Sequence, residues 1–574
     1  MNARAARMRP RAGGVVALAG GAMLLAGGCG DRDAPSVEEE PAVADSAWFA
    51  DATTALGIDF VHGSGRETNP LFPEIMGGGA ALVDLTGDGM ADAYLIQSGS
   101  LRHPGSEAAR NRLYVNRGDG TFEDRTDGSG ADDRGYGIGV TAGDYDNDGR
   151  MDLYVTNYGG NTLLRNLGDG RFEDTTEHAG VGNDRWGTSA AFLDMDADGD
   201  LDLFVTNYVN WSIENEITCR NSLGEPDYCL PTNYGAPTRD TLYRNEGDGT
   251  FTDTSDDAGF ADAFGYGLGV VCGDFDLDGR TDIFVANDTM FNQLWLNNGD
   301  GTFTDDALIM GCAVDENGIT KAGMGVMAVD YDDDGDLDVL VVNLQRQSDS
   351  YYRNDGGLFT DRTAAIGLGA GSIGYTRFGM GLLDFDNDGR LDYFLANGRV
   401  EMALEPPTAD PYAETNLLFR GEAGGRLVEV EPKGGTTKVL IHTSRAAAFA
   451  DVDGDGALDI LVGNRDGPAK LLLNRAGRGQ SWISIRALEE HGRDALGATV
   501  SLSAGERRIT RDVRAAFSYC SASDPVVHVG LGHLDAATDV RVLWPDGRED
   551  AFGDLKAGQH WTLTHGGEAR AVAR

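Results

Sequence analysis

The stretch Asp144-Tyr145-Asp146-Asn147-Asp148-Gly149-Arg150-Met151-Asp152 puts carboxylates at positions 1, 3, 5 and 9, and the β-forming run LYV follows. Alternate positions of a tight loop can aim their oxygens at one point. Glycine at position 6 permits the sharp turn, and position 7 can add a backbone carbonyl. A set of six to eight hard oxygens in flexible geometry suits calcium. Magnesium demands a stricter octahedron and keeps its waters, and zinc favours the His and Cys that the loop lacks. Left without a cation, the crowded carboxylates repel one another. An EF-hand begins alike but carries Glu at position 12 between helices. Here the last Asp is at position 9 and a strand follows, so the predicted site is a strand–loop–strand calcium clip.

The chain writes this loop seven times. Beside Asp144, Asp146, Asp148 and Asp152 stand Asp194, Asp196, Asp198, Asp202; Asp274, Asp276, Asp278, Asp282; and Asp330, Asp332, Asp334, Asp338. Two further sets are Asp384, Asp386, Asp388, Asp392 and Asp451, Asp453, Asp455, Asp459. The first loop has Asp84, Thr86, Asp88 and Asp92, one carboxylate fewer, and is expected to bind most weakly. About seven Ca²⁺ sites are therefore expected.

Each loop must be held by strands, and the surrounding residues supply them. A Gly-rich apolar approach (GYGIGVTA), the loop, MDLYVTN, NTLLRN, a Gly/Asp hairpin and RFEDTT read as four short strands per unit. Such units repeated radially predict a propeller. The last strand of each unit fits Phe-x-Asp with Gly eight residues after the Phe, as in Phe122/Asp124/Gly130, with a degenerate copy at Leu427/Glu429/Gly435. The seventh loop lacks such a strand, whereas Phe49/Asp51/Gly57 precedes the first. The N-terminal strand is thus expected to complete the last unit, giving a seven-bladed β-propeller over residues 47–475. Residues 476–574 alternate in period 2 (WISIRA, ATVSLSA, DVRVLWP) and predict a small β-sandwich-like domain, so the fold class is all-β. Its Arg507, Arg508, Arg511 and Arg514 are expected on a solvated strand face.

The remaining composition narrows the function. The 574-residue chain carries 47 Lys+Arg against 93 Asp+Glu, a formal charge of −46, which excludes nucleic acid as a partner. Residues 1–28 combine Arg4, Arg7, Arg9 and Arg11 with an apolar run and read as a signal peptide of lipoprotein type. Cys29 is then the lipidated first residue, and residues 29–46 form an acidic tether. No later apolar run is long enough to span a bilayer, so the membrane is reached through the lipid anchor only. Export permits disulfides. Cys219 and Cys229 share one insertion and are expected to pair, Cys272 with Cys312 is a second expected bridge, and Cys520 is left over.

The loops, with approaches such as FGMGLLDFDNDG (378–389), resemble FG-GAP/VCBS repeats of integrin-type propellers. Residues 478–563 resemble the ASPIC/UnbV domain through DALGATVSL, FSYCSASDPVVHVGLG and VRVLWPDGR. The combination resembles bacterial relatives of cartilage acidic protein. It implies an extracellular calcium-binding propeller and brings no catalytic residues. No GxSxG, HExxH or Walker loop stands out, and Arg117-Gly118-Asp119 falls inside a recurring turn. Trp186, Trp211 and Trp295 are expected between blades. The expected function is a non-enzymatic binding, scaffold or adhesion protein, exported to the bacterial cell envelope or beyond, with an unknown protein or glycan partner at the surface. The alternative is a calcium-stabilised polysaccharide-active hydrolase or lyase with its site in the central channel.

Overall fold

In sequence order, the strands Tyr136–Gly143, Asp152–Tyr158, Thr162–Gly168 and Arg171–Asp174 pair antiparallel, and the Asp144 loop joins the first two. The computed structural model describes residues 47–572 apart from residue 68, so the expected signal peptide, Cys29 and the whole of the expected acidic tether lie outside the described residues. The same four-stranded order recurs in seven sheets, numbered here by their Asp loops. Their first strands are neighbours in a closed cycle, the seventh (Ser444–Ala450) lying beside the first (Ala80–Val83). The result is a β-propeller. Its last sheet takes its fourth strand from the other end of the ring: Phe49 pairs with Asn474 and Asp51 with Leu472.

Each sheet lies between two others, so both faces of its inner strands are buried. This explains why Asp282–Asn287 and Asp338–Asn343 are buried at every residue. The recurring Gly after the fourth strand serves the contact between sheets. Gly130 has φ +79°, and a Cβ there would stand 2.2 Å from the Phe172 carbonyl oxygen of the next sheet. Any larger residue would push the sheets apart.

Residues beyond 475 build two four-stranded sheets around one apolar core that includes Ile483, Ile485, Val500, Leu502, Val542 and Trp544. Between Asp512 and Val527 the chain leaves this domain and enters the propeller. Ser521–Ser523 pairs in parallel with Ala80–Leu82 and becomes a fifth strand of sheet one. Phe517, Tyr519 and Cys520 are buried there. Hydrogen bonds tie the segment to Val140 of sheet two, Ser189 of sheet three, Val326 of sheet five, Met380 of sheet six and Phe449 of sheet seven. The C-terminal domain thus corks the propeller with its own backbone. Gly139 makes room for it, since a Cβ at that position would lie 2.7 Å from Cys520 Cβ.

Cys219 and Cys229 form a disulfide, with Cα atoms 5.2 Å apart. The second expected bridge does not form: Cys272 and Cys312 are free thiols, as is Cys520. The reason is strand alternation. Cys272 faces the apolar cluster of Ile283 and Trp295, whereas its neighbour Val271 faces the cluster that contains Cys312. Sheet four stands between the two sulfurs.

Candidate metal centres

The loops hold their shape through their own carboxylates. In loop two, Asp144 Oδ1 accepts the Asp148 N–H at 3.0 Å and its Oδ2 accepts that of Gly149 at 2.7 Å. Asp148 Oδ1 accepts the N–H of Arg150 at 3.2 Å. Asp152 accepts the N–H of Tyr145 and, at 2.7 Å, that of Asn166 on the third strand. Position 4 is left-handed in every loop: Gly87, Asn147, Ala197, Leu277, Asp333, Asn387 and Gly454 all have positive φ. The turn thus depends on position 4 as well as on the expected glycine at position 6, such as Gly149 at φ +82°.

After these bonds, a specific set of acceptors is left over. Asp146 Oδ1, Asp276 Oδ1 and Asp453 Oδ1, all at position 3, are buried without a hydrogen-bond partner, as is Thr86 Oγ1 at the same position of loop one. Asp194 Oδ1, at position 1 of loop three, is another. Leaving a buried acceptor unsatisfied costs about 1–3 kcal/mol. Carboxylate oxygens of Asp144, Asp146 and Asp152 lie within 4.8 Å of one another, and so do those of Asp194/Asp196/Asp202, Asp274/Asp276/Asp282 and Asp384/Asp386/Asp392. In loop five the converging set is Asp330, Asp332 and Asp334. Asp338 there accepts the Tyr351 hydroxyl at 2.8 Å on the same oxygen that takes the Tyr331 N–H. Burial, reinforced by neighbouring carboxylates, pushes Asp144 up to about 6 and Asp384 up to about 8. An all-oxygen donor set with unsatisfied, protonation-prone carboxylates fits a hard divalent cation.

Several partners were not visible in the spacing. Arg165 reaches Asp146 at 2.5 Å, Arg353 spans Asp332 and Asp334, and Arg420 spans Asp386 and Asp388. These guanidiniums share positions 3 and 5 with any ion. The Asn of the recurring Asn-x-Gly turn is a bracket between sheets. Asn166 Nδ2 donates to Met151 O at 2.8 Å and to Leu85 O of the preceding sheet at 3.0 Å. Asn116, Asn245, Asn297, Asn354 and Asn474 repeat the pattern. In sheet six Gly421 stands instead, where a Cβ would meet the Leu391 carbonyl at 2.3 Å. Replacing Asn166 by Ala leaves two buried carbonyls unpaired and is expected to destabilise the chain by ~2 kcal/mol in denaturant titration. A loss under ~0.5 kcal/mol would remove the bracket role.

The C-terminal arginines do not form a solvated face. Arg507 pairs with Asp333 at 2.6 Å, Arg511 donates to Asp330 O and Arg514 to Ala328 O; only Arg508 turns away, to Asp539. Arg486 approaches Asp84 at 3.4 Å, bringing charge to the loop with the fewest carboxylates. Arg493 bonds Asn147 Oδ1 and Gly199 O, and His528 bonds Asn387. The domain therefore sits on the loop face of the ring.

The remaining expectations concern the interior. Trp186, Trp211 and Trp295 are buried, Trp186 against Phe72, Tyr208 and Trp211. Arg117 of the Arg-Gly-Asp turn pairs with Glu123, and Asp119 accepts from Thr121. The space that a channel-centred enzyme would use is filled by Phe517, Tyr519 and Cys520. Among the described residues, no helix is long and apolar enough to cross a membrane.

The family matches agree with this architecture. The FG-GAP-like repeat family matches residues 84–155, 144–205, 224–285, 274–341 and 330–395, and an FG-GAP repeat matches 444–484. The ASPIC and UnbV family matches residues 489–570. Cartilage acidic protein 1 of Xenopus tropicalis is 29% identical over 304 residues, 49% of this chain and 42% of that protein. The Homo sapiens protein is 29% identical over 306 residues, 49% of this chain and 41% of its own length. The chain thus spans less than half the length of these relatives. Among solved structures, an Agrocybe aegerita lectin aligns with a TM-score of 0.37 at 18% identity, covering 68% of this chain and 87% of the lectin. The Burkholderia pseudomallei lectin BP39L aligns at 0.41 and 11%, covering 70% and 97%. The chain belongs to the FG-GAP-like repeat family and carries a C-terminal ASPIC and UnbV domain.

Proposed function

We propose that the protein is an exported calcium-binding propeller, held at a cell envelope by a lipid on Cys29, that acts as a non-enzymatic binding or scaffold protein. The observation that carries the calcium reading is the recurrence of a buried, partnerless oxygen at position 3 of loops one, two, four and seven. Cations there stiffen the face on which the C-terminal domain rests. The opposite ends of the sheets are then the partner surface. Here the insertion stapled by Cys219–Cys229 meets the long loop of sheet six: Tyr412 Oη donates to Asp227 at 2.8 Å, and the Met402 N–H donates to its other oxygen at 2.9 Å. A groove of about 760 Å³ runs beside this junction, lined by Arg220, Arg346, Arg399 and Glu401. Its size and mixed polarity suit a protein or glycan ligand. Elemental analysis of the purified mature chain is expected to find about seven calcium ions per molecule. A protein that carries no divalent metal after dialysis against calcium would sink the reading.

A further inference from the structure

Loops two, five, six and seven carry a guanidinium on the same two carboxylates. Arg165, Arg353 and Arg420 stand on the third strand, one residue before the bracket position. They pair with position 3 through Asp146 at 2.5 Å, Asp332 at 2.5 Å and Asp386 at 2.9 Å. Each also reaches position 5, at Asp148, Asp334 and Asp388. Loop seven has Leu473 at that place on the strand. Yet Arg478, beyond the strand, makes the same two contacts, with Asp453 at 3.0 Å and Asp455 at 2.5 Å. A contact rebuilt from a different element answers the charge of the loop, not the repeat of the sequence. Val115 and Leu296 occupy the strand position beside loops one and four, and Arg244 beside loop three pairs with Glu246 instead. The position 7 arginines, Arg150, Arg280 and Arg390, reach the carboxylate at position 5 and occur in both groups.

The guanidinium stands beside the donor set, not inside it. Arg165 and Arg478 pair with Oδ2 of Asp146 and Asp453, while Oδ1 of each is buried without a hydrogen-bond partner. Two opposite effects follow from that placement. In the chelated loop the positive charge offsets the repulsion among the carboxylates, so the loop keeps its shape. Once a divalent cation rests on the inner oxygens, the same guanidinium is a like charge a few ångströms away and weakens the hold.

We propose that Arg165, Arg353, Arg420 and Arg478 are resident counterions that set calcium affinity, dividing the loops into a releasable class (two, five, six and seven) and a retained class that includes three and four. This rests on the calcium reading of the loops. Sheets five, six and seven are neighbours through their first strands, so as calcium falls one sector of the ring gives up its ions first, together with loop two. The arginines hold the emptied loops folded. An arginine that merely oriented a ligand carboxylate would do the reverse and tighten binding, so the sign of the effect decides between the two roles.

The test measures calcium binding to the full mature chain by competition with a chelating dye at low salt, where exposed charges are least screened. Arg165→Leu and Arg420→Leu are each expected to tighten one site about fivefold, a modest change because these guanidiniums are partly exposed. Their melting temperatures should fall further in EDTA than in saturating calcium. Arg165→Lys keeps the charge without the planar fork and should stay near the native affinity. Leu296→Arg, which copies the releasable loops, should weaken one site comparably. Weaker calcium binding in Arg165→Leu overturns the proposal, as does unchanged affinity in both leucine variants, and either result leaves the calcium reading standing. A native chain that binds no calcium removes both.

Discussion

Chelation with EDTA lowers the melting temperature of the purified chain by more than about 10 °C, and added calcium restores it. The size follows from linkage. Each site held at a hundredfold excess over its Kd contributes ~2.7 kcal/mol to the folded state, so three loaded loops contribute ~8 kcal/mol. That is comparable with the whole stability of a typical domain, ~5–15 kcal/mol. Without the ion each loop keeps its backbone bonds but leaves oxygens such as Asp146 Oδ1 and Asp276 Oδ1 buried and unpaired. The arginines beside loops two, five and six soften the effect, since Arg165, Arg353 and Arg420 already touch positions 3 and 5. Loop four has no arginine on position 3, since Leu296 occupies the equivalent place on its third strand and Arg280 pairs only with Asp278 at position 5, so Asp276→Asn should remove more of the calcium response than Asp146→Asn. Superimposable calorimetric traces with calcium and with EDTA would remove the sites from the account of the protein.

The same carboxylates set a pH dependence. Burial is the largest cause in each case, and it pushes Asp194 and Asp330 up to about 6, Asp92 and Asp282 up to about 7, and Asp202 up to about 8. In the chelated protein these groups stay protonated when folded at pH values where the unfolded chain has lost its protons. Their contribution is therefore full at low pH and is lost as pH rises between about 4 and 8. Calcium must displace those protons, so the shift in melting temperature that it produces should grow from pH 5 to pH 8. A shift of equal size at both pH values would mean that the ion is held by something other than these carboxylates.

Residue pattern revealed the parts of this fold that repeat and missed the parts that occur once. Phe49/Asp51/Gly57 could be matched to the seventh sheet because five intact copies and a degenerate one defined the missing strand. The bracket role of Asn166 was hidden for the opposite reason. Its side chain reaches the preceding sheet at Leu85, 81 positions away, and no local spacing encodes that distance. The Cys272–Cys312 pairing failed because proximity in sequence says nothing about which face of a sheet a side chain takes. Strand alternation around Val271 carried that information. The arginines at 507, 511 and 514 looked like a solvated strand face because the surface that answers them belongs to another domain. Segment 515–523 has no periodicity to mark it as a strand, and its partners lie hundreds of residues away.

That segment carries the second large effect: replacing Tyr519 by Ala is expected to cost ~3–5 kcal/mol and to split one thermal transition into two. Tyr519 is fully buried, its ring 4.9 Å from that of Phe378 and its hydroxyl 3.3 Å from Met76 O. Neighbouring Ser518 exchanges two backbone bonds with Val326, at 2.8 and 3.0 Å, and Cys520 N donates to Ser189 at 3.0 Å. Ser518 and Cys520 both have positive φ, a conformation that only a surrounding network of this kind sustains. Loss of the ring that fills the centre weakens the network for several sheets at once, and the C-terminal domain then melts before the propeller. Tyr519→Phe keeps the ring and should cost under ~1.5 kcal/mol. Thiol labelling in a Cys272→Ser/Cys312→Ser background gives an independent readout, because burial holds the Cys520 thiol up at about 12 and out of reach of reagent. Labelling should be negligible in that background and rapid once Tyr519→Ala is added. A single unshifted transition with Cys520 still protected would show that the cork does not join the two domains into one cooperative unit.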